Sequence, residues 1–433
     1  MNFYLEPGGK LVGRIRVPGD KSMSHRVIML GSIAEGTTHV TGFLEGEDAL
    51  ATLGAFRDMG VAISEPDSGR LTIEGVGLDG LQAPQEVMDV GNSGTSIRLM
   101  AGLLAGQAFS SVLTGDQSLL RRPMARVITP LSQMGALMSS REGFPPLEIA
   151  GGRKLQGIAY ELPVASAQVK SSILLAGLFA EGCTAVLEPA PTRDHTERML
   201  KGFGYSVQVD SGAISLEGGG TLRGTMVDIP ADISSAAFFM VGASIAEGSD
   251  LVLEHVGINP TRDGVIRILK AMGADITMSN ERDVGGEPVA DLRIRSAALQ
   301  GIEIPVEEVP LAIDELPAIL VAAACADGAT VLRGAEELRV KESDRIASMA
   351  AGLTELGIHN TVHADGITVT GSDLRGGVIA THDDHRIAMS FAMAALRASE
   401  PIKISDCAHV ATSFPGFASL ATKVGLRLEV AET

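Results

Sequence analysis

Cations stand in this sequence where helix beginnings are predicted, and that placement is the first chemical clue. Six segments each lead into a run of small and apolar residues: Asp20-Lys-Ser-Met-Ser-His-Arg26, Gly91-Asn-Ser-Gly-Thr95, Ala165-Ser-Ala-Gln168, Asp232-Ile-Ser-Ser235, Ile313-Asp-Glu315 and Asp383-Asp-His-Arg386. The Ser, Asn and Asp residues predict N-caps, whose side-chain oxygens satisfy free N–H groups at about 1 kcal/mol each. For Asp232 and Ser234 capping is a sufficient account. It does not explain Lys21, Arg26 or Arg386. A cation at a helix N-terminus opposes the macrodipole by roughly 0.3–1 kcal/mol, so the arrangement makes sense if an anion binds there, when N–H groups, dipole and side chain act together. The Gly91–Thr95 stretch would let backbone approach a phosphate or carboxylate, although Gly-x-x-Gly alone is a weak signal. A second set of segments adds Arg121, Arg122, Arg126, Arg193, Arg262, Arg339, Lys341 and Arg345. Within it, Glu342 and Arg345 are spaced as an i,i+3 surface ion pair worth a few tenths of a kcal/mol, and His195, between Asp194 and Glu197, reads as structural. The chemistry these residues suit is the binding of small, highly charged anions.

Repetition in the chain predicts the elements that position them. Ala34-Glu-Gly36, Leu104-Ala-Gly106, Ala180-Glu-Gly182, Ala246-Glu-Gly248 and Ala326-Asp-Gly328 recur at intervals of 70, 76, 66 and 80 residues, with Ala398-Ser-Glu400 a degenerate sixth copy 72 further on. Glycine just past an apolar stretch marks a helix end, because it enters the left-handed region without steric cost. A second signature keeps the same spacing: amphipathic stretches ending at Gly60, Gly135, Gly204, Gly273, Gly357 and Gly425, the first five followed by alternating strands such as Leu71-Thr-Ile-Glu-Gly75 and Ile367-Thr-Val-Thr-Gly371. Each unit reads as helix, strand, helix, strand, turn, strand. The sixth unit runs out of chain, and Phe3–Gly13 has the pattern to complete it. The expected division is one domain of three repeats at 19–228 and a second at 1–18 plus 229–433, with crossings near Pro18-Gly19 and Asp228-Pro230 forming a double hinge.

Composition bounds the partners. With 35 Lys+Arg against 53 Asp+Glu the formal charge is −18, and 15 of 433 residues are aromatic. That balance argues against nucleic acid and anionic membranes, which need basic faces, and against base stacking. The 45% hydrophobic content supports a large core rather than disorder. Met1 to Val17 has no apolar signal segment, and the longest apolar run, Leu316 to Ala326 (Pro317 included), is far short of the roughly 18 residues of a membrane span. A cytoplasmic protein is expected. Cys183, Cys325 and Cys407 lack paired spacing and read as small core residues, with no disulfide framework or zinc site.

Taken together, Pro18-Gly-Asp-Lys-Ser-Met-Ser-His-Arg26, Gly91-Asn-Ser-Gly-Thr95, Arg122-Pro-Met124, Ser166-Ala-Gln168, Arg339-Val-Lys-Glu-Ser-Asp-Arg345 and Asp384-His-Arg386 resemble the 3-phosphoshikimate 1-carboxyvinyltransferase (EPSP synthase) family, in order from Lys21 to Pro415. Gly19-Asp-Lys21, Ser166-Ala-Gln-Val-Lys170, Arg193-Asp-His-Thr-Glu197 and Asn259-Pro-Thr-Arg262 are similar to its class II branch. The resemblance implies an α/β (α+β) fold of two domains, each of three βαβαββ units joined by a double crossover, with substrates bound between them and closure on binding. It implies transfer of the enolpyruvyl group of phosphoenolpyruvate to the 5-hydroxyl of shikimate 3-phosphate through a tetrahedral intermediate, by a monomer without metal or organic cofactor, and inhibition by glyphosate.

The same resemblance implies roles. Asp314 matches the proton acceptor for the 5-hydroxyl; Glu342 is similar to the residue that protonates the methylene carbon, with Lys21 a second candidate. Lys21, Arg122, Gln168, Arg345 and Arg386 match phosphoenolpyruvate contacts, the arginines through their bidentate fork, with Gly94 backbone beside that substrate. Lys21, Ser22, Arg26, Ser166, Ala167, Gln168, Asp314 and Lys341 match shikimate 3-phosphate contacts, with Arg193 a weaker one. One departure stands out: many relatives carry a lysine shortly before the C-terminal Phe-Pro, and Ala411-Thr-Ser-Phe-Pro415 has none, so either Lys341 covers that charge, the favoured reading, or affinity for phosphoenolpyruvate is weaker. The nearest rival is enolpyruvyl transfer to UDP-N-acetylglucosamine, whose enzymes commonly carry a loop cysteine in the region that here reads Gly115–Arg122; no cysteine precedes Cys183. An RNA-end cyclase is disfavoured by the charge and the few aromatics, and a non-catalytic anion-binding scaffold would have no need of Asp314 with Glu342. The charge of −18 thus excludes large anionic surfaces, not small anions, and the acidic surplus is expected away from Lys21, Arg26, Arg122, Lys341, Arg345 and Arg386.

Overall fold

Helix-ending glycines show the repeat most plainly in three dimensions. In the computed structural model, which describes residues 1–432 except Ser211, Gly60, Gly135, Gly204, Gly273, Gly357 and Gly425 all have positive φ, between 81° and 122°. A side chain at any of them would be strained. The other signature is less uniform. Gly36, Gly182, Gly248 and Gly328 also have positive φ, whereas Gly106 does not; its φ is −87°. Gly106 is needed for a different reason: a Cβ there would stand 2.3 Å from the ring of Phe179.

Two compact units divide the chain. The first unit is Gly19–Ile229 with Val284–Gly286; the second is Met1–Pro18, Pro230–Asp283 and the chain from Glu287 on. In the first unit the helices are α1 (Lys21–Ser32), α2 (Glu47–Asp58), α3 (Gly94–Ala105), α4 (Ala125–Gln133), α5 (Ala167–Gly177) and α6 (His195–Gly202). In the second they are α7 (Ile233–Ile245), α8 (Gly264–Ala271), α9 (Leu316–Ala324), α10 (Arg345–Glu355), α11 (His385–Ala394) and α12 (Phe417–Val424). The first helix of each repeat is largely buried, as every residue of α7 and α9 is; second helices such as α4, α6 and α8 are amphipathic, with one buried face. Small residues let the inner helices approach: a Cβ on Gly102 of α3 would stand 2.0 Å from the Ser172 carbonyl of α5. Among the described residues no helix is long and apolar enough to cross a membrane.

Each repeat adds a small sheet, and the sheets close each unit on itself. Strand Glu35–Thr41 pairs antiparallel with Leu71–Val76 and parallel with Met226–Asp228, so the last strand of the first unit lies in its first sheet. In the second unit, Val12–Ile15 runs parallel to Asp250–Gly257. Asn2–Leu5 sits between Ile402–Ser405 and Leu428–Ala431, antiparallel to both. Phe3 on that N-terminal strand stacks on Phe417 of α12, with ring centroids 6.1 Å apart. Two separate hydrophobic cores result, one per unit.

The cysteines depart from the sequence expectation in one case. Cys407 is buried and Cys325 half-buried, and burial pushes both thiols up to about 12. Cys183 is exposed, because strand Cys183–Leu187 alternates and its first residue falls on the outer face.

Candidate active site

The candidate residues fall into two groups, one in each unit. In the first unit, Asp20 caps α1 by accepting from Met23 N at 2.9 Å, and the helix it starts carries Lys21 and Ser22 in its first turn and Arg26 one turn after Ser22. Lys21 pairs with Asp48 of α2. Arg26 is only 3% exposed and its guanidinium is fixed from three sides: Nε donates to Thr196 Oγ1 (2.7 Å), one terminal nitrogen to Ser171 Oγ (2.8 Å) and the other to the Ser22 carbonyl (2.9 Å). Three helices, α1, α5 and α6, therefore set its plane. His25, fully buried between these cations, meets Thr52 Oγ1 at 2.9 Å and Ser96 Oγ at 3.2 Å. Burial, with Lys21 and Arg26 beside it, holds its pKa well below the usual histidine value, so it is neutral and ties α1 to α2 and α3.

Gly94 opens α3 behind the Ser93 cap, and the space where its side chain would be is taken by two guanidinium groups. A Cβ would stand 2.8 Å from Arg122 Nη1 and 2.9 Å from Arg98 Nη1. Arg98, one turn further along α3, donates to Gln168 Oε1 at 2.7 Å, and Gln168 donates in turn to Thr95 Oγ1 at 3.1 Å, which orients its amide. Arg122 donates to Asn92 Oδ1 at 2.5 Å. Ser166 caps α5 through Val169 N, and Ala167 is the first residue of that helix. Arg193 lies half-buried in the irregular segment before α6.

In the second unit, one buried arginine organises the group. Arg345, 1% exposed, gives Nε to Asp384 Oδ2 (2.8 Å), one terminal nitrogen to Glu342 Oε2 (2.5 Å) and the other to Asp314 Oδ1 (3.2 Å). Burial opposes its charge, but Asp384, Glu342 and Asp314 more than offset that, so its pKa is raised. The Glu342–Arg345 pair is thus not the exposed i,i+3 pair that spacing suggests. Lys341 Nζ stands 3.4 Å from Asp314 Oδ1, and Arg386 donates to the Asp314 carbonyl at 2.9 Å. Asp384 caps α11 through Arg386 N, and His385 meets Ser413 Oγ at 3.0 Å, which ties the lysine-free segment before Phe414 to the Asp384-His-Arg386 motif.

The sixfold N-cap expectation fails at α9. Asp20, Ser93, Ser166, Asp232 and Asp384 cap their helices, but neither Asp314 nor Glu315 caps α9. Asp314 is turned to Arg345 and Lys341, while Glu315 is buried against Ser234 and Arg262. Asp232 does cap α7, yet it also takes Arg262 at 3.2 Å, so capping alone does not describe it. Sequence reasoning missed Asp48, Arg98 and the hub role of Asp384; Arg98 had a signal, since it lies four residues after Gly94 on one helix face.

The candidate residues of the first unit include four cations (Lys21, Arg26, Arg122, Arg193) and no carboxylate; those of the second include three cations and two carboxylates (Asp314, Glu342). One group suits anions, the other proton transfer beside an anion. Comparison with known proteins decides the family. The family model of EPSP synthase (3-phosphoshikimate 1-carboxyvinyltransferase) matches residues 5–420. The chain belongs to the EPSP synthase family. It is 65% identical over 430 residues to the 3-phosphoshikimate 1-carboxyvinyltransferase of Alkalilimnicola ehrlichii, covering 99% of this chain and 96% of that one. It is 63% identical over 429 residues to that of Methylococcus capsulatus, covering 99% and 98%. A solved EPSP synthase from Acinetobacter baumannii superposes with a TM-score of 0.91 at 60% identity, over the full length of both chains. The fold is that of the EPSP synthase family: two units of three βαβαββ repeats.

Proposed function

We propose that this chain transfers the carboxyvinyl group of phosphoenolpyruvate to the 5-hydroxyl of shikimate 3-phosphate, giving 5-enolpyruvylshikimate 3-phosphate and phosphate. The observation that carries the reading is 57–65% identity along essentially the whole chain to relatives that bear this enzyme's name. The side chains give each step a physical agent. Asp314 accepts the 5-hydroxyl proton as that oxygen attacks C2 of phosphoenolpyruvate, and Arg345 and Lys341, 3.2 and 3.4 Å from its Oδ1, hold the carboxyl in place. Glu342 delivers a proton to C3, with Lys21 as the other candidate, and this completes the tetrahedral intermediate. Loss of phosphate, with a proton leaving C3, then restores the double bond.

Cations carry the binding. Arg122, Arg345, Arg386 and Lys21 face the phosphate and carboxylate of phosphoenolpyruvate, together with Gln168 and the Gly94 backbone. Ser22, Arg26, Ser166, Ala167, Gln168, Arg193 and Lys341 face shikimate 3-phosphate. The rigid fixing of Arg26 supports this role, because a guanidinium held in one plane loses little freedom when it meets a phosphate. Lys341 stands in for the lysine absent before Phe414-Pro415.

Phosphate release from phosphoenolpyruvate, followed with each acceptor in turn, tests the proposal. Shikimate 3-phosphate should support multiple turnovers and UDP-N-acetylglucosamine none. Turnover with the nucleotide sugar, or with neither acceptor, would overturn it.

A further inference from the structure

None of these roles uses Lys170, although it is a charged residue with only 1% exposure on the same helix, α5, as Gln168. Its ammonium lies 2.7 Å from Glu197 Oε1, 3.0 Å from Glu188 Oε2 and 3.5 Å from the Thr192 carbonyl. The ammonium donates to Glu188 Oε2 and to the Thr192 carbonyl, and holds Glu197 Oε1 as an ion pair. Glu188 follows the strand Cys183–Leu187, Glu197 lies in the first turn of α6, and the Thr192 hydroxyl also donates to Glu188. One ammonium therefore grips both ends and the middle of the irregular segment that carries Arg193 and contains Pro189 and Pro191.

The next residues on both helices form a second rung. Ser171, adjacent to Lys170, accepts from the Thr196 hydroxyl at 2.7 Å, and Thr196 is adjacent to Glu197. Both hydroxyls hold the Arg26 guanidinium. The two arginines assigned to shikimate 3-phosphate thus take their positions from one buried ion cluster. Stability alone is a poor reason for such a cluster, since well-packed apolar residues usually serve as well or better. The cluster is also imperfect as a stabiliser. Two carboxylates share one ammonium, Glu197 Oε2 is buried without a hydrogen-bond partner, and burial raises the Glu188 pKa despite Lys170.

We propose that Lys170, with Glu188 and Glu197, is a positioning staple for shikimate 3-phosphate: it touches no substrate and fixes Arg193 and the rung that holds Arg26. The inference rests on the reading that these arginines bind that substrate. It is tested with Lys170→Met and with Thr192→Val, a milder change that removes one hydroxyl and buries no new charge. Steady-state constants, calorimetric binding of shikimate 3-phosphate and thermal midpoints are read together. Lys170→Met should raise KM and Kd for shikimate 3-phosphate about tenfold or more, the loss of one charged contact. Its kcat at saturation should stay within about threefold and its KM for phosphoenolpyruvate within about twofold. Thr192→Val should shift the same constants about threefold in the same direction, and it decides the matter if Lys170→Met does not fold. A lower thermal midpoint with unchanged affinity, or an equal rise in KM for both substrates, would overturn the staple. Failure of the wild-type chain to bind shikimate 3-phosphate would instead overturn the functional reading beneath it.

Discussion

Gly94→Ala has consequences that can be worked out from distances. The added Cβ would meet Arg122 Nη1 at 2.8 Å and Arg98 Nη1 at 2.9 Å, whereas ordinary contacts begin at 3.4 Å. Each guanidinium must therefore retreat by roughly half an ångström. Both are ends of flexible side chains, so they yield and the helix does not. The retreat strains the 2.5 Å bond from Arg122 to Asn92 and the 2.7 Å bond from Arg98 to Gln168, and it moves the cation assigned to phosphoenolpyruvate. Weakening one charge-assisted contact costs about 1.5–3 kcal/mol, which corresponds to a rise of roughly 10- to 100-fold in KM for phosphoenolpyruvate. Alanine is a better helix former than glycine, so the thermal midpoint should not fall. Glyphosate, which carries an anionic phosphonate and a carboxylate as phosphoenolpyruvate carries a phosphate and a carboxylate, should inhibit the wild type, and its inhibition constant should rise in parallel. The assay is phosphate release with phosphoenolpyruvate varied at saturating shikimate 3-phosphate, with and without glyphosate. An unchanged KM and inhibition constant would refute the steric reasoning, because two displaced cations could not leave both values in place.

Asp314→Ala should lower kcat by about 10²–10⁴-fold, the usual worth of a positioned base, while circular dichroism and the thermal midpoint report a folded chain; near-normal turnover would remove it from the mechanism. Asp384→Ala strips the buried Arg345 of the carboxylate that holds it through two nitrogens, and should cost about 3–5 kcal/mol in urea unfolding; a loss below about 1 kcal/mol would contradict its role as hub. His25 gives a pH signature. Its folded pKa lies below its unfolded value, so between the two the unfolded chain binds the extra proton and stability falls as pH drops from about 6.5, by up to about 1.4 kcal/mol per pH unit. His25→Gln should flatten that slope, and an unaltered slope would place the titration elsewhere.

Much of this protein could be read along the chain. Six helix-ending glycines, the first five followed by alternating strands, predict the repeat, because backbone sterics at positive φ and the period of two in a strand are local properties. The cations at helix starts were legible for the same reason: a charge against the macrodipole is a local anomaly, visible without neighbours. What a local reading cannot contain is which distant group each side chain meets. Spacing made Glu342–Arg345 an exposed pair, and only packing revealed Arg345 as a buried hub shared with Asp314 and Asp384. Gly106 and Gly60 look alike in sequence; one answers to its own dihedral and the other to the ring of Phe179. Asp232 capped as its type predicts, yet its partner Arg262 comes from 30 residues away. Lys170 was part of a motif without a visible task until folding brought Glu188 and Glu197 to it from separate elements. Residue type and period determined the elements and the anionic nature of the ligands. Contacts between elements decided which charges became rigid, because burial and hydrogen-bond geometry exist only once the chain has packed.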